Sequence, residues 1–269
     1  MTRPAARPGA LLELDQVSKR FGQVVIADGV SLAVHPADAI GIVGPNGAGK
    51  TSLFGIISGD LAPDAGTVRL DGADLAGLDP AVRCRLGIGR TYQVPRPFED
   101  MTVYENVLVA AQQGSGARGR QSLATAAAVL GRTGLAPGAN RLAGRLGLLE
   151  RKRLELARAL ATAPRLLLLD EVAGGLTDPE VAELVGVVNA IRAAGVAVVW
   201  IEHVVRALTA TVDRLVCLAG GRIIGDGAPA DVLASPAVKE VFLGAEPTAA
   251  ALAEAGLTGR LDPEPRPAP

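Results

Sequence analysis

Aromatic residues are nearly missing from this chain, at 3% of its 269 residues. A core without rings has to be filled by Val, Leu, Ile and Ala, the composition of sheets buried on both faces. Hydrophobic residues make up 49%, enough to bury a substantial core, and the length fits one large domain or two modest ones. Cysteine is reduced to Cys84 and Cys217. Neither sits at metal-ligand spacing and no disulfide framework is expected, which leaves both as packing residues. An excess of either charge is lacking too: 27 Lys and Arg against 28 Asp and Glu give a net charge of −1. That balance provides no electrostatic footprint for nucleic acid, so no nucleic-acid partner is expected. Long apolar runs are absent. The longest, 166–169 and 196–201, are strand-sized and far short of the ~18–20 residues of a membrane span. Arg3 and Arg7 lie among prolines with no apolar stretch after them, so no secretory signal is read and a soluble, cytoplasmic chain is the simplest expectation.

What the chain does have is glycine placed with purpose. Gly44-Pro45-Asn46-Gly47-Ala48-Gly49-Lys50-Thr51, with Ser52 next, fits the phosphate-binding pattern G-x-x-x-x-G-K-[ST]. Apolar stretches at 39–43 and 53–57 flank it, the strand–loop–helix context that its physics needs. Glycines let backbone N–H groups turn inward as an anion nest, and the helix start adds partial positive charge. Lys50 would reach the β- and γ-phosphates, and the Thr51 hydroxyl would ligate Mg²⁺. A second element follows at 166–171, an apolar strand ending in Asp170-Glu171. This fits a Walker B strand, with Asp170 beside the P-loop in the Mg²⁺ shell and Glu171 able to polarise a water in line with the γ-phosphate. A third apolar strand ends in Glu202-His203. It places His203 where ligands bind in parallel α/β sheets, within reach of the γ-phosphate or the attacking water.

The remaining pattern organises these pieces. Stretches 11–14 and 24–26 read as early strands separated by a turn at 19–22, with a further strand at 31–34. Residues 66–72 alternate and end in Asp-Gly, a strand and turn. From 103 to 160 the chain is rich in Ala, Leu and Arg at helical spacing, broken at 114–119 and 131–138. A helix is expected over 180–192, a hairpin at 215–218 and 222–224, and short helices at 229–233 and 237–243. Arg151-Lys152-Arg153, at a helix start, reads as a solvated charged face. The tail after Glu246 is rich in Ala, Gly and Pro and is expected to be disordered. No internal repeat appears, so one nucleotide domain is expected.

The order of P-loop, Gln93, an Arg/Leu-rich segment, Asp170-Glu171 and His203 resembles the ATP-binding cassette (ABC) ATPases over about residues 11–245. The resemblance implies an α/β fold: a P-loop NTPase cassette with a RecA-like mixed sheet core, an antiparallel β subdomain and a helical subdomain at about 95–162. Residues 1–10 would be a flexible N-terminus and 246–269 the tail. It further implies ATP and Mg²⁺ as cofactors, Phe21 stacking on adenine, Gln93 as the Q-loop glutamine that touches Mg²⁺ and the attacking water, Glu171 as catalytic glutamate and His203 as switch histidine. Gly87-Ile88-Gly89-Arg90-Thr91-Tyr92-Gln93, the Met101-Thr102-Val103-Tyr104-Glu105-Asn106 run, Ala173-Gly174-Gly175-Leu176 and Val241-Phe242-Leu243-Gly244 resemble the ATPases of branched-chain (hydrophobic) amino-acid importers. That resemblance implies a peripheral subunit at the cytoplasmic face of the membrane. Its partners would be transmembrane permease subunits, a second ABC ATPase and, through the complex, an extracytoplasmic solute-binding protein. Importers of urea and short amides share much of the pattern, and a non-transport cassette or a regulatory one with weak hydrolysis are the other readings. The chain departs from the family at the signature, usually LSGGQ, which completes the opposite subunit's site. Here it reads Leu146-Gly147-Leu148-Leu149-Glu150. Thr177 stands where the D-loop usually has Asp or Asn.

Overall fold

The computed structural model describes residues 9–244; the segment 1–8 and the tail 246–269, both expected to lack order, lie outside it, as do the side chains of 242–244. The chain opens with β1 (Leu12–Phe21) and β2 (Val24–Val34), followed by β3 (Ala39–Val43), α1 (Lys50–Ser58), β4 (Ala65–Leu70) and β5 (Ala73–Asp74). Then come α2 (Pro80–Arg85), β6 (Ile88–Arg90), α3 (Val103–Gly114), α4 (Arg120–Arg132) and α5 (Leu148–Ala161). The last third holds β7 (Leu166–Asp170), α6 (Asp178–Ala193), β8 (Ala197–Ile201), α7 (Val205–Thr209), β9 (Arg214–Ala219), β10 (Arg222–Gly227), α8 (Pro229–Ala234) and α9 (Pro236–Gly244).

Two sheets result. An antiparallel one runs β2-β1-β4-β5, and a mixed one runs β10-β9-β3-β8-β7-β6. In the mixed sheet β9, β3, β8, β7 and β6 are parallel, and only β10 reverses, as the second strand of the hairpin with β9. The apolar runs explain this sheet. Successive side chains of a strand point to opposite faces. Leu167 and Leu169 therefore join one core, under α3, α5 and α6, while Leu166 and Leu168 join the other, with α1 and the antiparallel sheet. Each fully buried Leu is worth about 1.5–3 kcal/mol, which accounts for a strand with no polar residue until Asp170. Trp200 lies in the first core.

The early region corrects the sequence reading. The turn is only Gly22-Gln23, because Lys19, Arg20 and Phe21 pair across to β2. Residues 24–26 and 31–34 are one continuous strand, interrupted by register shifts rather than by a turn. Bulges in β1 near Gln16 disturb the alternation that marks a strand. The elements α2, β6 and α7 are too short to leave a periodic signal in the sequence.

Candidate functional site

All the candidate residues of the mixed sheet gather at the carboxyl ends of its parallel strands, the edge where open α/β sheets bind ligands. Strand β3 delivers the glycine loop, β6 leads to Gln93, β7 ends in Asp170 and β8 is followed by Glu202 and His203.

The loop is built around glycines with no alternative. Gly44, Gly47 and Gly49 have φ of 152°, 80° and 97°. A Cβ on Gly44 would stand 2.0 Å from the Leu218 carbonyl oxygen, and one on Gly49 2.1 Å from that of Ile26. Backbone packed this closely leaves room only for hydrogen. Helix α1 starts at Lys50 with Gly49 as its N-cap, so no side chain caps it, and its first turn has no acidic residue. The N–H groups of that turn therefore keep their capacity for an outside anion. Lys50 is buried, with its ammonium donating to the Gly44 and Pro45 carbonyls at 2.8 and 3.0 Å. Burial pushes its pKa down while Glu171 and Asp170 pull it back. A phosphate in the loop would add the negative charge that this ammonium lacks. Pro45, Asn46, Ala48 and Ser52 complete the loop and the helix start.

Asp170 is 1% exposed and its Oδ1 accepts from the Thr51 hydroxyl at 3.3 Å. Strand β8 separates β7 from β3, so the two residues meet because α1 reaches across it. Burial raises the Asp170 pKa, and the Arg90 guanidinium, 3.3 Å from Oδ2, is the largest opposing influence. A buried carboxylate and a hydroxyl oxygen side by side suit Mg²⁺, a hard cation that takes oxygen ligands. Arg90, which also bonds Ser58 and Asp60, has no periodic or spacing signal in the sequence that marks it as part of this site.

Glu171 follows at φ 49°, the left-handed region, with its N–H on the Ile201 carbonyl at 2.9 Å. For a residue with a Cβ this conformation is costly and is held only by its surroundings. It turns the carboxylate to face two neighbours. Gln93 Nε2 donates to Oε2 at 2.5 Å, and His203 Nε2 lies 2.7 Å from Oε1. The Gln93 amide nitrogen thus donates to Glu171. Phe21, 49% exposed, stands at the end of β1 with the Lys19 ammonium 5.4 Å from its ring centre.

The Arg151-Lys152-Arg153 run is not a solvated face. Lys152 is 5% exposed and donates to the Glu171 and Gln93 carbonyls at 3.0 and 3.3 Å. Arg151 holds the Leu146 and Gly144 carbonyls, and Arg153 pairs with Glu183. The reading failed because a run of three charges does not reveal that the loops after β6 and β7 fold back over this turn of α5. The altered signature caps the same helix. Gly147 is its N-cap and donates its N–H to the Glu150 carboxylate at 3.1 Å, while Arg141 holds the other oxygen at 2.5 Å. Leu146 is buried, whereas Leu148 is 48% exposed and leans on Gly175; Leu149 lies beside it in the first turn of the helix. Thr177 opens α6, its N–H and hydroxyl both on Glu180.

Comparison with known proteins agrees with this architecture. The family model described as ABC transporter matches residues 27–174. The chain is 34% identical to the high-affinity branched-chain amino acid transport ATP-binding protein BraF of Pseudomonas aeruginosa, over 91% of this chain and 99% of that one. It is 35% identical to the corresponding LivG protein of Escherichia coli K12, over 87% and 98%. A solved ATP-binding cassette of an ABC transporter in its ADP conformation superposes with a TM-score of 0.79 at 30% identity, over 87% of this chain and 99% of that one. A nucleotide-free cassette gives the same score and identity, over 87% and 98%. The chain belongs to the ABC transporter family, as one of its nucleotide-binding ATPase cassettes.

Proposed function

We propose that this cassette powers an importer of branched-chain or other hydrophobic amino acids, with Glu171 as the base that activates water for ATP hydrolysis. The observation that carries the base is the Glu171 carboxylate held between Gln93 and His203, one residue beyond Asp170. One oxygen faces an imidazole and the other an amide, so the carboxylate is aimed while remaining able to take a proton from water. Asp170 and Thr51, with Gln93 moving onto it, would hold Mg²⁺, which supplies neutralisation of phosphate charge when bound. Lys50 and the loop N–H groups would hold the phosphates and Phe21 would stack on adenine. His203 would stay near the γ-phosphate.

As an ABC transporter ATPase the chain works with membrane permease components. No helix among the described residues is long and apolar enough to cross a membrane, so attachment at the cytoplasmic face through the permease is the proposed location. Supporting it is a groove of about 320 Å³ between α2, α3 and α5, with Phe98, Asn106 and Arg158 in its wall; Phe98 lies five residues after Gln93, and Tyr92, Val94 and Phe98 are all exposed. A second cassette and an extracytoplasmic solute-binding protein complete the proposed assembly. The amino-acid cargo is carried by the likeness to BraF and LivG; urea or a short amide is the alternative cargo. A cassette with weak or regulatory hydrolysis is favoured by one feature, the Glu150 carboxylate at the start of α5.

ATP turnover by the purified chain beside Glu171→Gln tests the base. Turnover lost in the variant, with MgATP binding retained, is the expected result. Equal turnover in both rejects Glu171 as base. No turnover in either, with tight MgATP binding, points to an obligatory second cassette or to the regulatory reading.

A further inference from the structure

The turn that carries Glu171 is gripped from two sides by buried charges of opposite sign. On one side the Lys152 ammonium, on the second turn of α5, donates to the Glu171 carbonyl and also to the Gln93 carbonyl, at 3.0 and 3.3 Å. On the other side Glu202, 1% exposed, accepts the Ala173 N–H on Oε1 at 2.5 Å and the His203 N–H on Oε2 at 3.1 Å. Between these anchors lies the left-handed Glu171. Three loops that leave three different strands are thereby tied to two side chains. Lys152 joins the loop after β6 to that after β7, and Glu202 joins the loop after β7 to that after β8.

We propose that Lys152 and Glu202 are positioning residues that fix the 171–173 turn, and with it Gln93 and His203, in one arrangement around the base. The inference rests on Glu171 being the base, as proposed above. Neither side chain bonds the Glu171 carboxylate itself. Each acts on the backbone that aims it, through charge-assisted hydrogen bonds, which are shorter and stronger than neutral ones. Burial disfavours both charges, pushing the Lys152 pKa down and that of Glu202 up, and Glu202 is the largest of the acidic influences that restore Lys152. The pair therefore tolerates burial together better than either does alone. Because Lys152 is two residues past the signature segment, any movement of the start of α5 is passed to the Glu171 and Gln93 carbonyls through one side chain.

The test is Lys152→Met, Lys152→Arg and the double variant Lys152→Met with Glu202→Gln, each in the full chain. Amide exchange by mass spectrometry, MgATP affinity and steady-state kinetics are read on all three. The double variant removes the buried charge with its counter-charge, so it covers the case in which Lys152→Met alone does not fold. Expected is faster exchange confined to 91–96 and 171–175 and an unchanged MgATP Kd. The kcat should fall by on the order of 10²-fold, the scale of a misplacement of about 1 Å. Lys152→Arg, which keeps the charge and the donors, should restore exchange and kcat together. Wild-type exchange in both segments in Lys152→Met and in the double variant overturns the proposal, whether or not ATP is turned over. Loss of MgATP affinity in step with kcat overturns it too, since that is general disruption of the site. Equal turnover in Glu171→Gln and the wild type removes the base assignment, a wild-type chain that binds MgATP without turnover points to an obligatory second cassette or to the regulatory reading, and in both cases the exchange pattern decides on the anchors.

Discussion

Arg83 shows how much of this molecule depends on single buried cations that sequence pattern hides. It is 4% exposed, and its guanidinium donates to the carbonyls of Ile56, Ile57, Leu75 and Leu78 at 2.8–3.0 Å. Ile56 and Ile57 lie in the last turn of α1, where carbonyls have no partner within the helix. Arg83 thus closes the C-terminal end of the helix whose N-terminal end is the phosphate loop. Replacing it by Met leaves these carbonyls buried without donors, at a cost of about 1–3 kcal/mol for each one that finds no other partner. A fall in unfolding free energy of about several kcal/mol, seen as a lower denaturant midpoint, with MgATP affinity lost as α1 frays, is the expected outcome, read by chemical unfolding and nucleotide titration. The loop glycines make the complementary case. Gly49→Ala drives a methyl to 2.1 Å from the Ile26 carbonyl at a φ of 97°. Nucleotide binding should disappear in a chain whose remaining sheet signature by circular dichroism persists. Full affinity in that variant would mean that the loop is not the phosphate site.

Elements differ in how openly they declare themselves. Strands β7 and β8 were legible because burial on both faces demands an unbroken apolar run, and the acid that ends β7 stands out against it. The helix α3 was legible as part of a periodic stretch, and its start is explained by Thr102, whose hydroxyl accepts the Glu105 N–H at 3.1 Å while Glu105 reaches back to the Thr102 N–H at 2.7 Å. This reciprocal cap contributes about 1 kcal/mol by precedent for Thr→Ala at an N-cap, so Thr102→Ala should lower Tm by a few degrees. The cap is also acid-sensitive. Its hydrogen bonds from Thr102 hold the Glu105 pKa below the ordinary 4.5. The stabilisation is therefore complete above that value and lost as pH falls through the lower folded pKa. The Tm difference between the wild type and Glu105→Gln should shrink on acidification through that window, and a pH-independent difference would count against the carboxylate as its source. Strand β6, three residues long, and the burial of Lys152 and Glu202 were not legible, because both are set by which loops meet in space and not by any local period.

At the scale of the whole molecule the unresolved tension is between a complete set of residues on one side of the cassette and an altered signature on the other. The family resemblance assigns the start of α5 to the γ-phosphate held by the opposite subunit. In this chain that start carries an acid: Glu150 accepts from the Gly147 N–H and is paired with Arg141, and Leu148 stands exposed beside it. A carboxylate at a helix N-terminus is favourable for the helix itself, but it takes up the Gly147 N–H, a donor that would otherwise be open to a phosphate, and opposes that phosphate in sign. Two copies of this chain would place that acid at both composite sites. A pairing with a second cassette that has an unaltered signature places it at one, and leaves the Lys50, Asp170 and Glu171 site of this chain to be completed by the better donor. The purified chain alone is therefore expected to turn over ATP slowly. The fourfold change Gly147→Ser, Leu148→Gly, Leu149→Gly and Glu150→Gln should raise its turnover by roughly tenfold or more, the gain expected from restoring an oxyanion-type donor set, while leaving the MgATP affinity of the monomer unaltered. If the restored signature leaves turnover unchanged in a chain that already hydrolyses ATP at full rate, the acid at the start of α5 is no impediment and the argument for an unlike partner falls.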